Sequence, residues 1–120
     1  RETAAAPDRL DLIVVDNGSD APDTLAILAA EARHPGTRVL RRPEPFNWSR
    51  LNNGAAAEAG AEHLLFLNDD TRMLSGGWDR RLRRLLAEPA VGAVGARMVY
   101  EDLTLQHAGV VFGVEALAAH

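Results

Sequence analysis

Three short apolar runs alternate with segments of helical character along the first 67 residues, and this alternation constrains the fold more than any other feature. The runs at residues 11–15, 37–41 and 63–67 have the length and the β-branched or aliphatic content of buried strands. Strand and helix alternating in this way are typical of a parallel sheet covered by helices. The sequence therefore predicts an α/β fold.

The segments between the runs carry helix signals. Residues 22–33 predict a helix with Pro22 in its first turn and Ser19 or Asp20 as its N-cap. A second predicted helix, capped by Ser49 or Asn53, is rich in alanine and small enough to pack closely on a sheet. Further along, the pattern predicts an amphipathic helix over residues 78–87 and strand candidates at residues 91–94, 97–100 and 105–112.

Polar residues follow each of the three predicted strands. Asp16 follows the first strand, Arg41 and Arg42 stand at the end of the second, and the Asn-Asp-Asp sequence of residues 68–70 follows the third. Ligands of parallel sheets bind outside the carboxyl ends of the strands. We therefore expect Asp16 and the two aspartates of residues 68–70 to converge at one edge of the sheet.

The two acidic clusters each admit two interpretations. Adjacent carboxylates repel each other, and Mg²⁺ or Mn²⁺ held by one or two carboxylates and a diphosphate relieves that repulsion. However, Asn68-Asp69-Asp70-Thr71 is also a typical turn sequence, and Asp16-Asn17-Gly18-Ser19 is typical of a turn that leads into a helix. Neither cluster by itself decides between ligand binding and turn formation.

Composition removes several classes of function. All 13 basic residues are arginine, so chemistry that needs a lysine amine is excluded, including P-loops and Schiff-base enzymes. The absence of cysteine excludes disulfides, thiol catalysis and Cys-ligated zinc. A net charge of −4 argues against a dedicated nucleic-acid-binding role. No apolar run is long enough to span a bilayer.

Four motifs occur together and in order along the chain. They are LIVVDNGSDAPDTL, RVLRRPEPFNWSRLNNGAAAEAG, LLFLNDDT and GWDRRLRRLLAEPAVGAVGARMVYEDLTLQHAGVVFG. Over residues 11–113 they resemble the nucleotide-sugar-binding half of a family 2 glycosyltransferase, and the last motif is similar to the rhamnosyltransferase-like branch. The resemblance implies a GT-A fold, a Rossmann-like and mostly parallel sheet flanked by helices, with residues 1–120 forming part of such a domain.

The resemblance also assigns site residues. Asp16 would contact the base of the donor, Asp69 would lie near the ribose, and Asp70 would be the ligand of Mg²⁺ or Mn²⁺. Asn68 stands where the fullest form of the metal motif has a second aspartate. His107 would face the acceptor side, and the alternative interpretation is a structural histidine on a strand. The residues that the resemblance places near the nucleotide sugar are Asp16, Asn17, Ser19, Arg50, Asn52, Asn53, Asn68 and Asp69.

The implied reaction is inverting transfer of a sugar from a nucleotide diphosphate sugar to a glycan or lipid-linked acceptor, in the cytoplasm or at its membrane face. The resemblance further implies an apolar strand ahead of residue 1 and a general base beyond Gly113, and neither has a match in the sequence. We therefore expect this chain to bind a donor without transferring sugar, and its incomplete sheet to favour self-association. The alternative is a non-catalytic nucleotide-binding or interaction module.

Overall fold

The computed structural model describes residues 1–109. The first part of the chain is a strand–helix–strand unit: β1 (Leu12–Asp16), α1 (Pro22–Glu31) and β2 (Thr37–Arg41). The two strands pair in parallel, with Leu12 opposite Thr37 and Asp16 opposite Arg41. Parallel neighbours need a crossover connection, and α1 provides it while packing against β2. The strand and helix predictions for this part of the chain are confirmed within two residues at each end.

The N-terminus of α1 differs from the prediction. The residue at the N-cap is Ala21, and no side chain caps the helix. Ser19 and Asp20 lie too early in the chain, because Ser19 belongs to the turn after β1, where its N–H bonds to Asp16. Pro22 at the first helical turn has no N–H to satisfy, so this helix start lacks one of the donors that a cap would serve.

Helix α2 (Trp48–Glu58) follows β2 and packs against β1. Its N-cap is Asn47, whose side chain accepts a hydrogen bond from the backbone N–H of Arg50 at 2.9 Å. The predicted caps, Ser49 and Asn53, are therefore wrong, because both lie inside the helix. Leu51 on α2 is the one apolar side chain that is buried among residues 1–109.

The third predicted strand is not formed. Residues 63–67 have no strand assignment, and the side chains of residues 64–67 are roughly half exposed. An apolar segment becomes a strand only where a neighbouring backbone pairs with it, and no strand of the described chain pairs with this segment. The segment contacts α2 through Phe66, whose ring centroid lies 6.2 Å from that of Trp48.

The remaining described elements are helix α3 (Trp78–Leu86), two short strands, β3 (Met98–Val99) and β4 (Leu105–His107), and a 3-10 helix near the start of the chain (Pro7–Arg9). The prediction at residues 91–94 is wrong, and the prediction at 97–100 is confirmed only for its central pair. Residues 110–112 of the last predicted strand lie outside the described residues. No helix in the described part of the chain is long and apolar enough to cross a membrane.

Strands β3 and β4 form an antiparallel hairpin. The backbone N–H of Leu103 bonds to the carbonyl of Tyr100, and Leu103 has the positive φ of 67° that glycine usually supplies in such loops. The carboxylate of Asp102 accepts bonds from the hydroxyl and the N–H of Thr104, which lower its pKa. The hairpin belongs to a compact unit that begins at Arg81, whereas β1, α1, β2 and α2 belong to the unit of residues 1–80.

Candidate functional site

The carboxyl ends of β1 and β2 meet at Asp16 and Arg41. Asp16 is buried, and its Oδ1 accepts hydrogen bonds from the N–H groups of Gly18 at 3.2 Å and Ser19 at 2.7 Å. Its Oδ2 forms an ion pair with Nη1 of Arg41 at 2.6 Å, and the same guanidinium nitrogen donates to the carbonyl of Ser19 at 3.1 Å. Gly18 has φ of +97°, so this turn also needs a residue without a side chain. Asp16 thus fixes the turn after β1 and joins it to β2.

The same contacts lower the pKa of Asp16. The hydrogen bonds from Ser19 are the largest cause, the desolvation that comes with burial opposes them, and the charge and hydrogen bond of Arg41 add to the lowering. The folded chain therefore binds a proton at Asp16 less readily than the unfolded chain. Stability from this group is present above the usual aspartate pKa of 3.8 and is lost as the pH falls through the lower value of the folded state.

We predict that Asp16→Asn reduces stability at neutral pH and flattens its dependence on pH below about 4. The asparagine oxygen can still accept from the turn, but the ion pair with Arg41 is lost. Urea midpoints at pH 7, 5, 4 and 3 measure the effect, with Asp20→Asn as the control because Asp20 is exposed. If the wild type and Asp16→Asn lose stability in parallel as the pH falls, the role given to Asp16 is wrong.

Asn17 links the turn after β1 to the loop after β2. Its side-chain amide donates to the carbonyl of Arg42 at 2.7 Å and to that of Glu44 at 2.9 Å. The backbone N–H of Arg42 donates to the carbonyl of Asp16 at 2.8 Å. Loops are usually mobile, but this one is held to β1 at several points.

A cavity of about 250 Å³ lies on this loop and the first half of α2. Three of its five lining residues are charged, and the lining comprises Arg42, Glu44, Arg50, Leu51 and Gly54. Nη2 of Arg50 pairs with Glu44 at 2.8 Å, and Nη2 of Arg42 pairs with Glu58 on α2. A second cavity, of about 300 Å³, lies by Leu10 and Gly36, at the amino ends of the strands. The location of ligand sites in parallel sheets favours the first cavity.

Two predicted residues on α2 contribute less directly. The side chain of Asn52 donates to the carbonyl of Trp48 at 2.8 Å, one turn earlier on the same helix. Asn53 is exposed, and its side chain forms no hydrogen bond within the described residues. Of the three predicted polar residues on α2, only Arg50 lines the cavity.

Residues 68–71 form a turn. The carbonyl of Asn68 accepts from the N–H of Thr71 at 3.3 Å and from its hydroxyl at 2.6 Å. Asp69 and Asp70 are exposed, and within residues 1–109 neither carboxylate has a hydrogen bond or an ion pair. The turn interpretation of this sequence is therefore correct, and both carboxylates stay open to a cation.

No three His, Asp or Glu side chains of residues 1–109 come together as a metal cluster. This arrangement still fits Mg²⁺ or Mn²⁺ held jointly by protein and substrate, since these ions use hard oxygen ligands and often take only one or two carboxylates besides phosphate oxygens. The exposed carboxylates of Asp69 and Asp70 supply that ligand type. His107, by contrast, lies half-buried on β4 opposite Met98, in the unit that begins at Arg81.

A comparison with protein families decides what kind of chain this is. Residues 2–109 match the family described as glycosyl transferase family 2. The chain belongs to glycosyl transferase family 2. The expected GT-A fold is confirmed, and the parallel β1–β2 pair flanked by α1 and α2 is the part of it that the described residues display.

Relatives of this family 2 chain come from three bacteria. Uncharacterized protein y4gI of Sinorhizobium fredii is 43% identical over 111 residues, which are 92% of this chain and 12% of that protein. The O-antigen biosynthesis protein RfbC of Myxococcus xanthus is 38% identical over 110 residues, 92% of this chain and 8% of that protein. Uncharacterized protein MT1568 of Mycobacterium tuberculosis is 32% identical over 93 residues, which are 77% of this chain and 28% of that protein.

This family 2 chain therefore spans less than a third of each of these relatives. No solved structure matches it significantly. Glycosyl transfer is the chemistry for which this family is named.

Several residues at the site of this family 2 chain were not assigned a role from sequence. Arg41 binds Asp16, while Arg42 and Glu44 line the cavity. The signal for Arg41 was its place at the end of the second predicted strand, directly opposite Asp16 in the register. Glu44 lies in a proline-containing loop with no periodic pattern, so nothing in the sequence pointed to it.

Proposed function

We propose that this chain is the donor-binding part of a glycosyltransferase and that its donor is a nucleotide diphosphate sugar. The observation that carries the proposal is the cavity by Arg42 and Arg50, next to the carboxyl ends of two parallel strands, in a chain of glycosyl transferase family 2. Arginine suits this role because its planar set of donors matches phosphate oxygens.

The roles proposed for the individual residues follow the geometry of the edge. Asp16 accepts three bonds, which leaves about one of the four lone-pair sites of a carboxylate for an N–H of the donor base. Asn17 and Ser19 shape the turn, and Arg50 binds the nucleotide. The residues proposed to complete the nucleotide-sugar site are Asn52, Asn53, Asn68 and Asp69.

Asp70 is the proposed ligand of Mg²⁺ or Mn²⁺, which would neutralise charge that develops on the leaving diphosphate. Asp69 and Asp70 are consecutive in a turn, where successive side chains point in different directions, so a single ion is expected to take one of them. Asp69 then remains available for the ribose hydroxyls. Arg50 assists by keeping a positive charge beside the phosphates.

The proposed reaction is inverting transfer to a glycan or lipid-linked acceptor, with His107 on the acceptor side. The relative named for O-antigen biosynthesis supports a role in polysaccharide biosynthesis. Rhamnose is the donor sugar to test first, because the segment that contains Gln106-His107-Ala108-Gly109 resembles the rhamnosyltransferase-like branch. The acceptor hydroxyl must lose a proton during transfer, and no residue of this chain is assigned that step.

A second candidate function is a non-catalytic interaction module. It is favoured by the exposed apolar segment at residues 64–67, a feature that marks interaction surfaces in soluble proteins. The proposed partner is a second copy of this chain. The two candidates differ in what the chain binds most tightly, so they can be compared in the same samples.

A thermal-shift screen of nucleoside diphosphates and nucleotide sugars, each with and without Mn²⁺, tests the proposed function. A ligand that binds only the folded chain raises Tm, by an amount that corresponds to about 2.7 kcal/mol at a hundredfold excess over Kd. We expect a nucleoside diphosphate to raise Tm more with Mn²⁺ than without it. If no nucleotide changes the Tm of the chain and light scattering shows a dimer, the results would instead support the interaction module.

A further inference from the structure

We propose that Arg42 is a second diphosphate-binding residue beside Arg50, and that Glu58 holds its guanidinium until an anion arrives. This inference rests on the proposed function, since it names the part of the donor that the cavity receives. Neither the family nor the sequence motifs assigned a role to Arg42 or Glu58.

The cavity itself favours a diphosphate over a whole nucleotide sugar. Its volume of about 250 Å³ is below the range of about 300–1,000 Å³ that is typical of pockets for drug-sized ligands. Arg42 and Arg50 both line it, and their side chains are 45% and 59% exposed. Two guanidinium groups beside a small cavity suit a compact ligand with two negative groups.

The backbone of Arg42 is held in place by hydrogen bonds. Its backbone N–H donates to the carbonyl of Asp16, and its own carbonyl accepts from the side chain of Asn17. Both partners lie at the end of β1, so the main chain at Arg42 is held from two sides. A binding group on a fixed backbone loses less freedom when its ligand arrives than one on a loose loop.

Both guanidinium groups keep donors for a ligand. Arg42 uses Nη2 for Glu58, and its Nη1 makes a long contact of 3.4 Å to the carbonyl of Arg41. Arg50 uses Nη2 for Glu44. Each guanidinium has five N–H donors, so most of them stay available to phosphate oxygens while the carboxylate pairs persist.

Glu58 competes with the ligand for Arg42. The ion pair is exposed, at 45% for Arg42 and 38% for Glu58, and exposed pairs of this kind contribute little to stability. A diphosphate carries more charge than one carboxylate and offers bidentate geometry, so it can displace Glu58. The competition predicts opposite effects on affinity when Arg42 and Glu58 are neutralised.

The test is calorimetric titration of this chain with inorganic diphosphate at low salt, with EDTA present so that no metal contributes. We expect Arg42→Gln to weaken binding about tenfold, as for the loss of a charge-assisted hydrogen bond. Glu58→Gln should strengthen it about two- to fivefold, as for the loss of a weak competing ion pair. The charge-matched controls are Arg33→Gln and Glu62→Gln, both at exposed residues whose side chains form no hydrogen bond or ion pair within the described part of the chain.

Nucleoside diphosphates titrated in parallel separate this inference from the proposed function. If nucleotides bind and Arg42→Gln behaves like Arg33→Gln, the inference is wrong and the proposed function stands. If diphosphate binds with the expected signs and no nucleotide binds more tightly than diphosphate, the proposed function is wrong and the inference stands. A wild-type chain that does not bind diphosphate overturns the inference, as does a Glu58→Gln effect equal to that of Glu62→Gln.

Discussion

Asp79→Ala is expected to lower the free energy of unfolding by about 3 kcal/mol and Tm by about 10 °C. Asp79 is the second residue of α3 and is buried, with 4% of its surface exposed. Its carboxylate accepts hydrogen bonds from the N–H groups of Ala5 at 2.6 Å and Ala6 at 3.0 Å. Each bond to a charged acceptor contributes about 1.5–3 kcal/mol, and alanine removes both acceptors at once.

Another contact beside Asp79 also joins the N-terminal segment to the start of α3. The backbone N–H of Gly77 donates to the carbonyl of Thr3 at 2.7 Å, so the N-terminal segment meets the start of α3 at several points. Chemical denaturation and calorimetry measure the loss, and Asp79→Asn, which keeps one acceptor, should lie between the wild type and Asp79→Ala.

Asp23→Ala is the matched control, because Asp23 is an exposed aspartate in the first turn of α1 and its loss reports only the favourable charge at a helix N-terminus. That change should cost no more than about 1 kcal/mol. If both alanine variants lose the same amount, the bonds to Ala5 and Ala6 have no net value.

The strand–helix–strand part of the fold could be predicted from sequence because its signals are local. A β-branched run at residues 12–15, a turn with Gly18 and a proline at the start of α1 each specify their own conformation. The exact caps could not be predicted, because Asn47, Ser49 and Asn53 all have side chains suited to the role.

The segment at residues 63–67 shows where local signals fail. Its composition is that of a strand, but strand formation depends on hydrogen bonds to a neighbour that the segment itself does not specify. The opposite failure concerns Asp79. An aspartate near the start of a helix usually interacts with the exposed helix terminus, and its burial depends on a segment more than 70 residues earlier in the chain.

The meeting of Asp16 and Arg41 could be predicted from sequence, but the contacts of Asp16 could not. Asp16 and Arg41 were expected at one edge because both end parallel strands, and their ion pair confirms that they meet there. The carboxylate of Asp16 binds the N–H of Ser19 and the guanidinium of Arg41. These contacts depend on side-chain geometry, which the motif does not encode. Whether Asp69 and Asp70 join Asp16 at a bound donor stays a prediction.

Asp70→Asn should abolish the enhancement of nucleotide affinity by Mn²⁺ while leaving the fold intact. The turn at residues 68–71 is closed by Asn68 and Thr71, and the carboxylate of Asp70 has no partner within the described residues. Asparagine keeps the size and turn propensity of aspartate, so stability should change by no more than about 1 kcal/mol. Removing one of two adjacent negative charges should slightly stabilise the metal-free chain.

Titration calorimetry with a nucleoside diphosphate, with and without Mn²⁺, measures this effect against two matched variants. Asp69→Asn removes the same charge one residue earlier, and should weaken nucleotide binding whether or not Mn²⁺ is present, because Asp69 is proposed to bind the ribose. Asp8→Asn removes an exposed aspartate in the 3-10 helix Pro7–Arg9 and should leave both titrations unchanged. A tenfold enhancement of nucleotide affinity by Mn²⁺ in the wild type corresponds to about 1.4 kcal/mol. If this enhancement persists in Asp70→Asn, Asp70 is a turn residue only. If the enhancement is lost in Asp69→Asn and kept in Asp70→Asn, the metal ligand is Asp69.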